Sequence, residues 1–357
     1  MEISANSAPS ARPTDTRTRL VNVQGARGIA SLLVVFYHVD KFYFGNPSYW
    51  SHTFLDHLFA FGHAGVNFFF VLSGFIIYTA HNRDIGEPSR LLSFAKKRFV
   101  RIYPFYWIAL AGALVTLFAF PAFGLAKNRD PVSIIGSIFL AGINPLDATI
   151  FVSWTLFYEM LFYTLFAFLI ASKRVGWTVL IAWWALCAVS SLFFTGAPYP
   201  FGTINLLFGM GIGTALLLRH GPAFPGGIAA IFGTVLFLAT GIDEVFYHML
   251  CEAQSTLAYG VGSAFALGGV VELERRGKLT APALLVLSGE ASYAIYLTHM
   301  LALGVGAKLM RAVGAHHWMP TLPAFAILVL VGAVGGTIAH LFVEKPLLKL
   351  SRRLIGV

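Results

Sequence analysis

Residues 25–42, GARGIASLLVVFYHVDKF, form an apolar run interrupted by Arg27 near one end and His38 near the other. A guanidinium grips phosphate through paired hydrogen bonds. An imidazole, with a pKa near 6.5, moves protons or accepts a group at neutral pH. On a helix the eleven-residue separation brings the two side chains to within about 20° of one face and roughly 16 Å apart along the axis. An anion anchor and an imidazole on one stripe of one helix is an arrangement that can do chemistry. The structural alternative is that Arg27 snorkels to lipid phosphates and His38 is satisfied by a neighbour.

Further ionisable residues interrupt other apolar runs. In FAKKRFVRIYPFYW (94–107), Arg98 and Arg101 stand three apart on one helix face, either as an anion clamp or as the basic flank that membrane topology demands. In SWTLFYEMLFY (153–163), Glu159 lies about 9 Å into its run, where a carboxylate must be paired, protonated or facing a cavity. His299 occupies a similar depth in GEASYAIYLTHMLALG (289–304), so His38, Glu159 and His299 are expected in one depth band, with Glu159 able to orient an imidazole as the carboxylate of a triad does. A core histidine bonded to a backbone carbonyl is the alternative for His299. In GHAGVNFFFVLSGFIIY (62–78), Gly65 and Gly74 suit close helix packing and Ser73 can line a passage. Glu344, in VEKPLLKL, is expected to pair with a nearby Lys or Arg. There is no phosphate-cradling glycine loop, no His-x-x-x-His metal pair and no serine nucleophile elbow.

These residues need apolar helices to position them, and the composition supplies little else. Of 357 residues, 57% are hydrophobic and 11% charged, against about 25% charged in a soluble domain. Runs long enough to cross about 30 Å of hydrocarbon occur near 23–43, 62–80, 103–121, 153–171, 176–194, 202–218, 227–241, 254–271, 284–307 and 322–343. The expected fold is an all-α polytopic membrane bundle of about ten spans. PVSIIGSIFLAGINP (131–145), shorter and bounded by prolines, is expected to be a re-entrant or interfacial helix. Lys and Arg concentrate on one side of such a topology, which predicts cytoplasmic N- and C-termini and accounts for the +9 formal charge without nucleic acid. Residues 1–19 read as a disordered cytoplasmic tail, 20–350 as the transmembrane domain and 351–357 as a basic tail. Two cysteines give no disulfide framework.

Taken in order, Arg27 and His38 with ten residues between them, FFFVLSGF, the Arg98 and Arg101 pair, SWTLFYEMLFY, SYAIYLTH and FVEKP resemble the acyltransferase 3 family of polytopic membrane O-acyltransferases, over residues 20 to 350. Members of this size resemble enzymes that modify exopolysaccharide, lipopolysaccharide or Nod factor. The resemblance implies transfer of an acyl group, acetyl foremost, from cytoplasmic acyl-CoA to a hydroxyl of an envelope or exported glycan at the bacterial inner membrane. The donor is a substrate, with no bound cofactor or metal. It implies His38 as the catalytic histidine, Glu159 as the family's acidic position, and Arg27, Arg98 and Arg101 in donor binding; Ser73, Tyr158 and His299 are site-lining candidates. Longer members of the family carry an appended soluble domain after the last span, and the resemblance is to members without one. The arm of CoA, on the order of 15–20 Å, matches the rise from Arg27 to His38. Transporters and flippases also hold charged groups inside the bilayer, but no inverted repeat supports that class.

Overall fold

The long apolar runs fold as helices in the computed structural model, which describes residues 20–44, 46, 49–50, 57–120, 126–142, 144–194, 199–221 and 225–357. The tail expected at 1–19 lies outside the described residues. Among the described residues fourteen α-helices follow in order: α1 (Val21–Tyr43), α2 (Gly65–His81), α3 (Leu91–Ala119), α4 (Pro131–Phe139), α5 (Trp154–Ala171), α6 (Lys173–Phe193), α7 (Leu206–His220), α8 (Gly226–Ile242), α9 (Glu252–Arg275), α10 (Ala283–Glu290), α11 (Ser292–Ala312), α12 (Ala315–Trp318), α13 (Thr321–Ala339) and α14 (Lys345–Ile355). Among the described residues β-structure is limited to one isolated bridge, Phe44 to Trp50.

Among the described residues eight helical stretches are long and apolar enough to cross a bilayer: 60–81, 88–119, 151–171, 173–193, 226–247, 252–275, 292–312 and 321–355. The chain is a multi-pass membrane protein. The other two expected spans are also helical but fall short of that standard. In α1 the apolar run is diluted by Asn22, Gln24, Arg27, His38, Asp40 and Lys41, and α7 has only 15 residues. Residues such as Val115, Leu192, Phe193 and Ile228 are mostly exposed on α3, α6 and α8, a surface that costs nothing against lipid tails.

Boundaries moved where charge or geometry overrode the hydropathy pattern. The basic segment 94–101 is already helical, so α3 begins at Leu91, twelve residues before the apolar run at 103. The run 284–307 breaks at the buried Ala291 into α10 and α11. Residues 351–355 of the expected basic tail continue α14, which follows α13 through a single π-helical turn, His340–Glu344.

The proline-bounded segment does not cross. Its helix α4 has nine residues, capped by Asp130 and ended by Leu140 in a left-handed conformation (φ 51°), and at 1.5 Å per residue it reaches about half the hydrocarbon thickness. Its last carbonyls are satisfied from α3: Tyr106 Oη donates to Ser137 O (2.8 Å), Trp107 Nε1 to Ile138 O (2.9 Å) and Tyr103 Oη to Phe139 O (2.7 Å). Those bonds replace the next helical turn.

Helix α1 is enclosed by α2, α10, α11 and α13. Glycines allow the closest approaches. A Cβ on Gly74 would sit 2.1 Å from Phe208 O and one on Gly211 1.9 Å from Val71 O, so α2 and α7 touch backbone to backbone. Gly65 meets Ala30 O of α1 in the same way.

Candidate active site in two stacked cavities

Two cavities lie end to end beside α1. The inner one, about 550 Å³, is lined by Arg27, Lys97, Arg98, Arg101 and Arg352 together with Glu159 and Ser73. Lys97 and Arg352 are exposed and stand at the basic end of the bundle. The outer one, about 470 Å³, is lined by His38, Tyr37, His63, Asn67, Phe151, Trp154 and Glu244. Val66 and Tyr296 belong to the walls of both. The stripe of α1 predicted to carry Arg27 and His38 therefore faces inward, while Ile29 on the other face is half exposed.

The cations of the inner cavity differ in how far they are already engaged. Arg101 Nη1 donates to Glu344 Oε1 at 2.7 Å, and the fully buried Glu344 also takes a 2.7 Å bond from His340 Nδ1. The charge of Arg101 is thus largely answered inside the protein. Arg27 donates through Nη1 to Gln24 Oε1 (3.2 Å), and Arg98 stacks over the rings of Phe94 and Tyr163. In both, Nε is buried without a hydrogen-bond partner. An unpaired buried donor costs free energy until something accepts from it, so these two guanidiniums are set to receive an anion.

His38 is buried by the close packing of α1 on α11, and its chemistry follows from its partners. Its Nδ1 lies 2.8 Å from Val34 O. A carbonyl only accepts, so this nitrogen carries the proton. His299 Nδ1 lies 2.7 Å from Tyr296 O and 3.0 Å from Ile295 O, which protonates it by the same reasoning and leaves His299 Nε2 an acceptor, 3.2 Å from His38 Nδ1. The two imidazoles form a chain in which the Nδ1–H of His38 is shared between Val34 O and His299. His38 Nε2 keeps its lone pair, the state required of a general base or nucleophile.

The structure separates Glu159 from this pair. Its Oε1 accepts from Ser73 Oγ (3.2 Å) and from Tyr163 Oη, among the arginines of the inner cavity. His38 and His299, expected in one depth band with Glu159, meet each other, and the place expected for Glu159 beside an imidazole is taken by His299. Depth along a span does not fix the face on which a side chain emerges. Ser73 lines the inner cavity. Tyr158 lines neither cavity: it packs edge-on against Phe70, Trp154 and Tyr199. Among the described residues no group of three or more His, Cys, Asp or Glu is placed to hold a metal.

Several lining residues escaped the sequence reading. Tyr293 and Tyr296 sit in SYAIYLTH, where nothing in the spacing sets them apart from other aromatics of the apolar runs. Tyr296 Oη donates to Val152 O (2.9 Å) and stands 3.1 Å from Thr155 Oγ1, which fixes its ring between the cavities. His63 and Glu244, 181 positions apart, meet at 2.6 Å; the only signal was an acid just past the end of an apolar run.

Residues 20–341 match the family model described as an acyltransferase domain. The chain belongs to the acyltransferase 3 family. This membrane O-acyltransferase is 31% identical to the exopolysaccharide production protein ExoZ of Rhizobium meliloti (strain 1021), over 83% of this chain and 92% of that one. It is 27% identical to the acyltransferase MdmB of Streptomyces mycarofaciens, over 94% and 93% of the two chains. To protein 2 in the picA locus of Rhizobium radiobacter it is 26% identical over 46% of this chain and 88% of that one. No solved structure matches.

Proposed function

We propose that this acyltransferase takes an acyl group, acetyl foremost, from acyl-CoA in the inner cavity and passes it to a hydroxyl of a glycan in the outer one. The observation that carries this reading is the shared wall: a cavity lined by cations and a cavity lined by His38 meet at Val66 and Tyr296. Phosphates of the donor lie against Arg27 and Arg98, whose Nε donors are free, with Lys97 and Arg352 at the mouth. The arm threads along α1 over roughly 16 Å and brings the thioester to His38. The basic end faces the cytoplasm of a bacterial cell, where acyl-CoA is made, and the outer cavity faces away from it. The name of the relative from Rhizobium meliloti, an exopolysaccharide production protein, supports a polysaccharide acceptor.

In direct transfer, His38 Nε2 removes the proton of the acceptor hydroxyl as its oxygen attacks the thioester carbonyl. The resulting imidazolium donates through Nδ1 to Val34 O and His299. Collapse of the tetrahedral intermediate breaks the C–S bond, and the departing thiolate takes the proton from His38 Nε2. In the two-step alternative Nε2 attacks the carbonyl and expels the CoA thiolate to leave an acyl-imidazolium. The acceptor hydroxyl then attacks the acyl carbon, the C–N bond breaks to restore His38, and the hydroxyl proton goes to the released thiolate; both routes need the same tautomer. Glu159, held by Ser73 and Tyr163, organises the arginines.

The test is transfer of radiolabel from acyl-CoA to glycan by the purified, detergent-solubilised protein. New ester is expected from the native chain and about a thousandfold less from His38→Ala. Full acylation by His38→Ala removes the imidazole from the reaction, and transport of glycan with no ester formed replaces the reading with a carrier.

A further inference from the structure

The two cavities differ in charge as well as position. Cations dominate the inner one, whereas no Lys or Arg is among the described residues lining the outer one; its acidic groups are Glu244, which His63 partners, and Glu252. Glu244 is held in place by unusual local structure. It sits in a single π-helical turn, Asp243–Tyr247, ended by His248 in a left-handed conformation (φ 53°). The carboxylate of Asp243 closes that turn by accepting from the backbone N–H of Met249 and Leu250 at 3.2 and 3.1 Å. Such turns cluster at functional sites. Two donors then orient Glu244: His63 Nε2 on Oε1 and Tyr259 Oη on Oε2, each at 2.6 Å.

A carboxylate oxygen accepts more than one hydrogen bond, so Glu244 keeps acceptor capacity. It is a fixed double acceptor beside the base, suited to the O–H groups of an acceptor molecule. The aromatic surfaces of Tyr37 and Trp154 on the same cavity offer flat apolar faces, and Asn67 an amide. Flat faces with a few convergent polar groups bind a ring that is apolar on its faces and hydroxylated on its edges. An anionic ring would meet Glu244 and Glu252 with no Lys or Arg among the described lining residues, and the nearby His63 is already engaged by Glu244.

We infer that the outer cavity is the acceptor subsite for an uncharged pyranose, and that Glu244 and Glu252 set specificity by excluding rings that carry a carboxylate or phosphate near the reacting hydroxyl. The inference rests on the acyl-transfer reading for the word acceptor, but the ligand class stands on the cavity alone. Two unit charges about 5 Å apart at an effective dielectric near 20 repel enough to weaken binding by roughly two orders of magnitude, and partial exposure reduces this to about tenfold.

The experiment is equilibrium binding to the full chain in nanodiscs without acyl donor, so that nothing turns over. The probes are a hexasaccharide of β-linked glucose and the corresponding hexasaccharide of glucuronic acid. The neutral probe is expected to bind at least about tenfold more tightly. Glu244→Gln, and separately Glu252→Gln at the exposed first turn of α9, should narrow that ratio, and Trp154→Ala should weaken the neutral probe. Equal or tighter binding of the uronate, no binding of the neutral probe, or an unchanged ratio in both glutamine variants overturns the inference. Acyl transfer is assayed in parallel: neutral preference without new ester would sink the transfer reading and leave the ligand class standing.

Discussion

His38 donates from Nδ1 to a backbone carbonyl and a second imidazole, where a carboxylate would be the usual partner of a catalytic histidine. Two outcomes separate the roles of the pair. His38→Ala should lower kcat by about 10³-fold while acyl-CoA binding, measured by calorimetry, stays within a factor of two. His299→Phe leaves the Val34 bond in place, so a smaller loss of about tenfold in kcat is expected, with the donor KM unchanged. The arginines divide in the same way. Removing a hydrogen bond to a charged group costs about 1.5–3 kcal/mol, so Arg27→Gln and Arg98→Gln should each weaken CoA binding by tenfold or more. Arg101 is spoken for by Glu344, and breaking that buried pair with Glu344→Gln should appear as lost stability, about 3–5 kcal/mol in detergent unfolding, ahead of any change in donor affinity.

Among the elements, the contact of α2 with α7 is the one least tolerant of added atoms. Gly74→Val places its Cβ against the Phe208 carbonyl, a backbone atom that cannot step aside, and overpacking of this kind costs about 1–3 kcal/mol. A lower unfolding temperature with the helix content retained is the expected readout. That glycine was readable as a packing residue because it stands among large aromatics in a span. The apolar runs were readable too, since hydropathy registers burial in lipid and in protein alike. The break at Ala291 between α10 and α11 was not, because it depends on how Gly289 packs against Gln24 of α1. Arg27 and His38 could be placed on one face because a single helix fixes their angle. The neighbours of Glu159 and of His38 could not: Ser73 is 86 positions from the first and His299 261 from the second, and only tertiary packing brings them together.

At the scale of the molecule, the bundle holds a chamber of cations and a chamber of neutral and acidic groups on either side of two side chains. In the proposed reaction the donor arm must pass between Val66 and Tyr296. Val66→Trp should therefore reduce acyl transfer at least tenfold while CoA binding at the basic end is kept, a split that separates passage from affinity.

The same partition makes the resting protein a thin electrical insulator. Among the described residues a valine and a tyrosine are common to both cavities, so in the proposed reaction they would hold back protons driven by the membrane potential, and the threaded thioester would act as its own stopper during turnover. Liposomes containing a Val66→Gly, Tyr296→Ala double variant should leak protons, and added acyl-CoA should slow the leak.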